Sequence, residues 1–193
     1  PAASSIKETV VSRATRIGVL PLPGFALMSY ASTVEPFRAA NLLSGQALYE
    51  VAVIGSASEM IASSGQGGVV PSAMVGQALD LDYLFVVAGG DPASINDPAL
   101  FRWLGRMARN GAILGGVSGG PVVLARAGLM EGRRMTVHWE HAEALAEVSP
   151  NLMIDRTLYV IDRDRVTCAG GTAPMDLMHA LIARDHGATF AQA

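Results

Sequence analysis

The chain has 193 residues, half of them apolar, and 17 acidic against 14 basic side chains give a formal charge of −3, which suits one domain with a full core and leaves no basic surplus for gripping a nucleic-acid backbone. A single cysteine, Cys168, excludes an internal disulfide or a cysteine-rich metal site. Nothing reads as a signal peptide or a membrane span, so a cytoplasmic protein with small-molecule or protein partners, and no membrane contact, is the expectation.

Residues 1–15 are polar without sustained periodicity and read as a loose lead-in, with one domain over 16–193. Ile17-Gly-Val-Leu-Pro-Leu22 is a first parallel strand, broken by Pro23-Gly24-Phe25. Ser32 to Leu43 reads as a helix, with Ser32 as N-cap, Glu35 at capping-box spacing, and Val34, Phe37, Arg38 and Asn41 along one side. Leu48 to Ile54 suits a second strand, and the Ser/Gly-rich stretch from Ser56 to Gly68 a pair of short strands around a turn. Asp82-Tyr-Leu-Phe-Val-Val-Ala88 is a continuous apolar run stopped by Gly89-Gly90-Asp91-Pro92, the pattern of a central parallel strand buried on both faces. Asn96 to Asn110 has helical spacing through Leu100, Trp103, Leu104 and Met107.

The stretch Ile113 to Gly128 organises the rest. Its apolar first half ends abruptly at Val117-Ser118-Gly119-Gly120, and Pro121 then opens a helical pattern, which predicts a strand, a sharp turn and a helix with Ser118 at the bend. Further on, Met135-Thr-Val-His138-Trp139-Glu140-His141 is an extended piece entering a helix, and 158–162 and 166–169 are two strands around a charged turn. Gly170-Gly171-Thr172, with Thr172 as cap, starts a last long helix reaching Phe190. This alternation predicts a doubly wound α/β fold: a mostly parallel sheet with helices on both faces and a ligand crevice beyond the carboxyl ends of its strands.

Four junctions should converge on that crevice: the loop from Pro23 to Tyr30, Gly89-Gly90-Asp91, the Ser118 elbow, and His138-Trp139, with Gly170-Gly171-Thr172 beside them. Ser118, His138 and an acid such as Asp91 or Asp176 have the inventory of a nucleophile, base and orienter, but Gly-Val-Ser-Gly-Gly lacks the spacing of the hydrolase elbow Gly-x-Ser-x-Gly. Anion binding or plain turn geometry is favoured over catalysis there. His138-x-x-His141 lacks a third metal ligand and reads as a helix entry with one inward and one solvated histidine. Phe25, Tyr30 and Trp139 fall in or near the crevice loops, where an aromatic face with Glu35 would suit a cationic ammonium group, although capping explains Glu35 and core packing Trp139 at least as well. Cys168 in an apolar strand is an inert buried thiol.

From Ile17 onward the sequence resembles the amidotransferase-like, PfpI-type sensor domain of AraC-type transcriptional regulators. The resemblance rests on Leu20-Pro-Leu-Pro-Gly-Phe-Ala-Leu-Met28, Val34-Glu-Pro-Phe-Arg-Ala-Ala-Asn41, Val86-Val-Ala-Gly-Gly-Asp-Pro92, Gly116-Val-Ser-Gly-Gly-Pro121, Leu124-Ala-Arg-Ala-Gly-Leu129, Thr136-Val-His-Trp-Glu-His141 and Thr167-Cys-Ala-Gly-Gly-Thr172. It is similar above all to the group that senses glycine betaine, carnitine or related amino-acid-like compounds. That resemblance implies a flavodoxin-like fold and a non-enzymatic, dimerising domain without a cofactor, whose effector controls an attached pair of helix-turn-helix units. Those units are expected to lie outside this chain, so DNA contact would come only through them. In the enzymes of the superfamily the elbow carries a cysteine supported by an acid; here Ser118 stands at the elbow and Ser29 at the position matching the acid. Both departures weigh against a thiol-dependent hydrolase or lyase, since an alkoxide is far harder to form than a thiolate. The ligand picture that follows places an effector carboxylate on Ser118, Gly119 and Gly120, with Gly90, Asp91 and Thr172 nearby. Its ammonium would sit among Trp139, Glu35 and Phe25, with His138 beside it. The alternative is a small hydrolase or lyase using Ser118 and His138.

Overall fold

The computed structural model describes residues 13–193. Seven strands form the main sheet: β1 (Thr15–Pro21), β2 (Tyr49–Gly55), β5 (Ala73–Met74), β6 (Tyr83–Ala88), β7 (Ile113–Ser118), β10 (Tyr159–Asp162) and β11 (Arg165–Cys168). Their order is β10-β11-β7-β6-β1-β2-β5, and every pairing is parallel except β10 with β11. From β1 the chain winds outward through β2 to one edge, then returns to place β6 on the other side of β1. The carboxyl ends of β1 and β6 therefore flank the topological switch point at which such sheets hold ligands. Two short pairs complete the sheet structure: β3 (Ile61–Ala62) with β4 (Gly68–Val69), the expected small hairpin, and β8 (Arg134–Met135) with β9 (Met153–Ile154).

The central strands follow from their composition. All six residues of β6 are buried, and Gly115 of β7 lies under the Phe85 ring, where an added Cβ would come within 2.2 Å of it. Apolar clusters cover both faces. One joins β6 and β7 to α2 (Pro98–Arg109) and α3 (Gly120–Arg126); the other joins β1 and β6 to α1 (Leu27–Ser44) and α5 (Ala173–His186). α2 begins as its sequence prescribes, with Asp97 accepting from the N–H groups of Ala99 and Leu100 and Pro98 in the first turn.

Three expectations are corrected. α1 starts five residues before Ser32, at Leu27, so Ser32 is a buried residue inside the helix, and the Ala26 cap offers no side-chain acceptor. Burial of its inner face, with Ser29, Ser32 and Phe37 inward, overrides the capping cue, and Glu35 instead pairs with Arg38 at 2.7 Å. Thr172 occupies the N-cap position of α5 but makes no capping bond. The last helix is broken at Gly187, whose φ of 92° no α-helix accommodates, and a short α6 (Ala188–Ala191) follows. The lead-in over 1–12 lies outside the described residues; of the rest, Arg13 is tied to Asp82 and Thr15 already belongs to β1.

Candidate functional site

The elbow is built by crowding. Ser118 ends β7 with φ 61°, a left-handed conformation that costs a non-glycine residue on the order of 1–3 kcal/mol and persists only where the surroundings impose it. They do so here: the Gly119 N–H donates to the Ala88 carbonyl at 2.9 Å, and a Cβ on Gly120 would lie 2.0 Å from the Val86 carbonyl oxygen. The start of α3 is thus pressed onto β6, and the turn has no room to relax. The Gly119 amide is therefore engaged within the fold and is not available to a carboxylate.

Three further segments close on Ser118. The His138 backbone N–H donates to the Ser118 carbonyl at 3.2 Å and so fixes the start of α4 (Trp139–Val148) against the elbow. A Cβ on Gly170 would sit 2.7 Å from the Ser118 hydroxyl oxygen and 3.0 Å from His138 Cδ2, so the β11–α5 turn touches both side chains and must be glycine to do so. The next residue, Gly171, donates its N–H to the Ser29 hydroxyl at 3.0 Å. Ser29 thus holds the β11–α5 turn in place as a neutral acceptor. The Ser118 hydroxyl itself makes no hydrogen bond among the described residues, and the residue as a whole is 8% exposed.

The electrostatics are those of an incomplete site. His138 Nδ1 is buried without a hydrogen-bond partner; the nearest carboxylate oxygen, on Glu140, stands 3.5 Å away. The His138 and His141 rings lie 6.0 Å apart. Burial first, and the neighbouring His138 second, hold His141 below the ordinary imidazole range, with Glu140 and Asp91 opposing. Cys168, fully buried, has its thiol pushed up by burial, with a smaller opposing effect from the Ser118 backbone, as an inert thiol should. No group of three His, Cys, Asp or Glu side chains that could hold a metal occurs among the described residues.

The expected site residues divide. Ser118, Gly119, Gly120, His138 and Gly170 come together, and Trp139 lies 5.6 Å ring to ring from His138. Gly90 supplies a positive-φ turn after β6, and exposed Asp91 is close enough to act on His141. Phe25 is not brought in: it is fully buried against Tyr30 in the core. Glu35 lines a different groove, between α1 and α5, so Trp139 and Glu35 do not flank one cation. Trp139 is 76% exposed rather than core, and lines a groove of about 1150 Å³ with Ala142, Glu143, Ile154, Arg156 and Leu158. Ala169, next to Gly170, lines it too. Glu143 and Arg156 were not foreseen. The spacing of Glu143 four residues after Trp139 on a helix was a usable signal; Arg156, in the loop after β9, gave none.

A strained elbow at the carboxyl edge of a doubly wound sheet, one strand from its switch point, defines a class of α/β domain, and the match over residues 16–184 is to the DJ-1/PfpI family. The chain belongs to that family. It is 44% identical over 178 residues to the HTH-type transcriptional regulator GlxA of Rhizobium meliloti, covering 92% of this chain and 55% of that one. It is likewise 44% identical over 168 residues to the HTH-type transcriptional regulator CdhR of Pseudomonas aeruginosa, covering 87% and 50%. The chain spans about half the length of these curated relatives. A solved AraC family transcriptional regulator from Pseudomonas putida has a TM-score of 0.81 at 26% identity, covering 92% of this chain and 96% of that one. Drosophila melanogaster DJ-1beta, at 18% identity and a TM-score of 0.78, shares the fold. No helix among the described residues is long and apolar enough to cross a membrane.

Proposed function

We propose that this chain is the effector-sensing domain of an AraC-family transcriptional regulator. It takes a small amino-acid-like or quaternary-amine metabolite into the crevice at Ser118 and controls an attached helix-turn-helix DNA-binding domain, acting as a cytoplasmic homodimer that contacts DNA only through that domain. The observation that carries the reading is the open polar pair at the elbow. Among the described residues, a Ser118 hydroxyl and a His138 Nδ1 that make no hydrogen bond stand beside an exposed Trp139, in a chain 44% identical to named regulators. Buried polar groups in folded proteins are nearly always paired, so a site that leaves them open is completed by what binds there.

The same geometry disfavours a serine hydrolase. The bond between the two residues runs from the His138 backbone to the Ser118 carbonyl, and among the described residues no base accepts a hydrogen bond from the hydroxyl. A thermal-shift screen against glycine betaine, carnitine, choline, sarcosine, dimethylglycine and arginine tests the sensor reading. A ligand at about a hundred times its dissociation constant adds roughly 2.7 kcal/mol, a clear rise in midpoint. The rise is expected from one ligand class and is expected to be lost in Ser118→Ala and Trp139→Ala. Labelling of Ser118 by a serine-directed phosphonate, with no ligand response, would replace the sensor by an enzyme.

A further inference from the structure

The groove along α4 carries more chemistry than the elbow alone. Four charged or aromatic side chains line it: Trp139, Glu143, Asp155 and Arg156. Asp155 is taken by Arg134. Glu143 and Arg156 enter no ion pair or hydrogen bond among the described residues, although they carry opposite charges in one groove. Much of the remaining lining is apolar, from Ala142, Ala146, Ile154 and Leu158, and Trp139 and Leu158 are 76% and 58% exposed. Exposed apolar surface of this kind, bounded by charge, marks a place that something covers.

We propose that this groove reads both ends of a zwitterion. Glu143, one helical turn from Trp139 on the same face of α4, takes the ammonium together with the Trp139 ring, and Arg156 takes the carboxylate. The assignment rests on the sensor reading above and supplies what the elbow lacks. A carboxylate needs a cation or several free N–H groups, and the Gly119 amide is bound to Ala88. Arg156 is the one guanidinium that lines the groove, and a planar fork of donors suits a carboxylate. Ala169, which lines the groove, precedes Gly170, whose position abuts the Ser118 hydroxyl and the His138 ring, so the groove runs up to the elbow.

The experiment is calorimetry on the whole chain with glycine betaine, carnitine, sarcosine and arginine as zwitterions and choline as a cation without a carboxylate. The parent is compared with Arg156→Gln and Glu143→Gln, both at exposed positions, where substitution is expected to leave the fold intact. Arg156→Gln is expected to weaken the preferred zwitterion at least tenfold while leaving choline, if bound, within twofold; Glu143→Gln is expected to weaken both. Parental affinity in both variants would overturn the assignment and leave the sensor reading intact. So would choline binding the parent as tightly as glycine betaine, or the variants shifting only the monomer–dimer equilibrium. A parent stabilised by some other class of metabolite but by no zwitterion also overturns the assignment alone. A parent stabilised by nothing in a broad metabolite set overturns both.

Discussion

The two ends of the sheet are finished differently. At the amino end, charges close on one another. Asp82 accepts from Arg13 at 2.7 Å and from the Arg16 N–H at 2.8 Å, Arg16 pairs with Asp80, Arg184 donates to the Tyr83 hydroxyl, and Tyr49 donates to Asp185 at 3.2 Å. At the carboxyl end, among the described residues, a left-handed serine has a hydroxyl without a hydrogen bond, an imidazole nitrogen is buried without a hydrogen-bond partner, and a tryptophan stands in solvent. The closed end is what folding alone would select. On the proposed sensor reading, the open end is tolerated because the rigid strands beneath it hold it open for a ligand.

The sharpest way to break this contrast is to truncate the two tryptophans. Trp103 is 1% exposed, packs in the core on α2 and donates its indole N–H to the Gln77 carbonyl at 2.9 Å. Trp103→Ala should cost about 3–5 kcal/mol, through the cavity it leaves and the carbonyl it orphans. Trp139→Ala should change stability by less than about 0.5 kcal/mol. Urea denaturation measures both, with the slope checked for constancy. A large loss from Trp139→Ala would mean that the exposed ring is structural after all and that the open end is not open.

Next in size is the strain at the elbow. Ser118→Gly removes the penalty of φ 61° and should raise stability by up to about 1 kcal/mol, even after the greater freedom of glycine in the unfolded chain is counted. The same change deletes the hydroxyl and should abolish the ligand response. A variant that gains stability and loses response would show that the fold holds Ser118 in a costly conformation for the sake of the site. A destabilised Ser118→Gly would show that the conformation is not costly.

Much of the scaffold was legible because it is written in contiguous residues. The run from Tyr83 to Ala88, short, apolar throughout and stopped by Gly-Gly-Asp-Pro, has the marks of a strand buried on both faces, and the break at Ser118-Gly119-Gly120 after an apolar run marks a tight turn. The misreadings occurred where distant packing overruled a local cue. Ser32 has the chemistry of a cap, but inward packing on α1 draws it into the helix, and Phe190 continues an apolar pattern that Gly187 interrupts. The crevice residues Ser118 and His138 were legible as strand-to-helix junctions. The groove was not, because it arises where β8 pairs with β9 and carries the following loop, with Arg156, toward α4; no period in the sequence encodes that meeting.

The smallest expected effect separates the two ends by pH. The Asp82 carboxyl is held below the usual carboxylate range chiefly by the hydrogen bond from Arg13, against some burial, and then by the Arg16 N–H and both guanidinium charges. The folded state therefore binds this proton less readily than the unfolded chain, so the contribution is whole above about pH 4 and is lost as pH falls through the lower folded value. With the pair 55% and 31% exposed, it amounts to less than about 1 kcal/mol. His141, at the open end, acts in a higher window. Its folded value is also depressed, so protonation favours the unfolded chain, and stability declines as pH falls below about 6.5 towards that lower value. Thermal midpoints from pH 8 to pH 3 should show Asp82→Asn flattening only the limb below pH 4 and His141→Gln only the limb just below 6.5. A ligand seated beside His138 should alter the second limb and leave the first untouched. If both limbs respond to the ligand, the two ends are coupled through the sheet, and the contrast between a closed end and an open one fails.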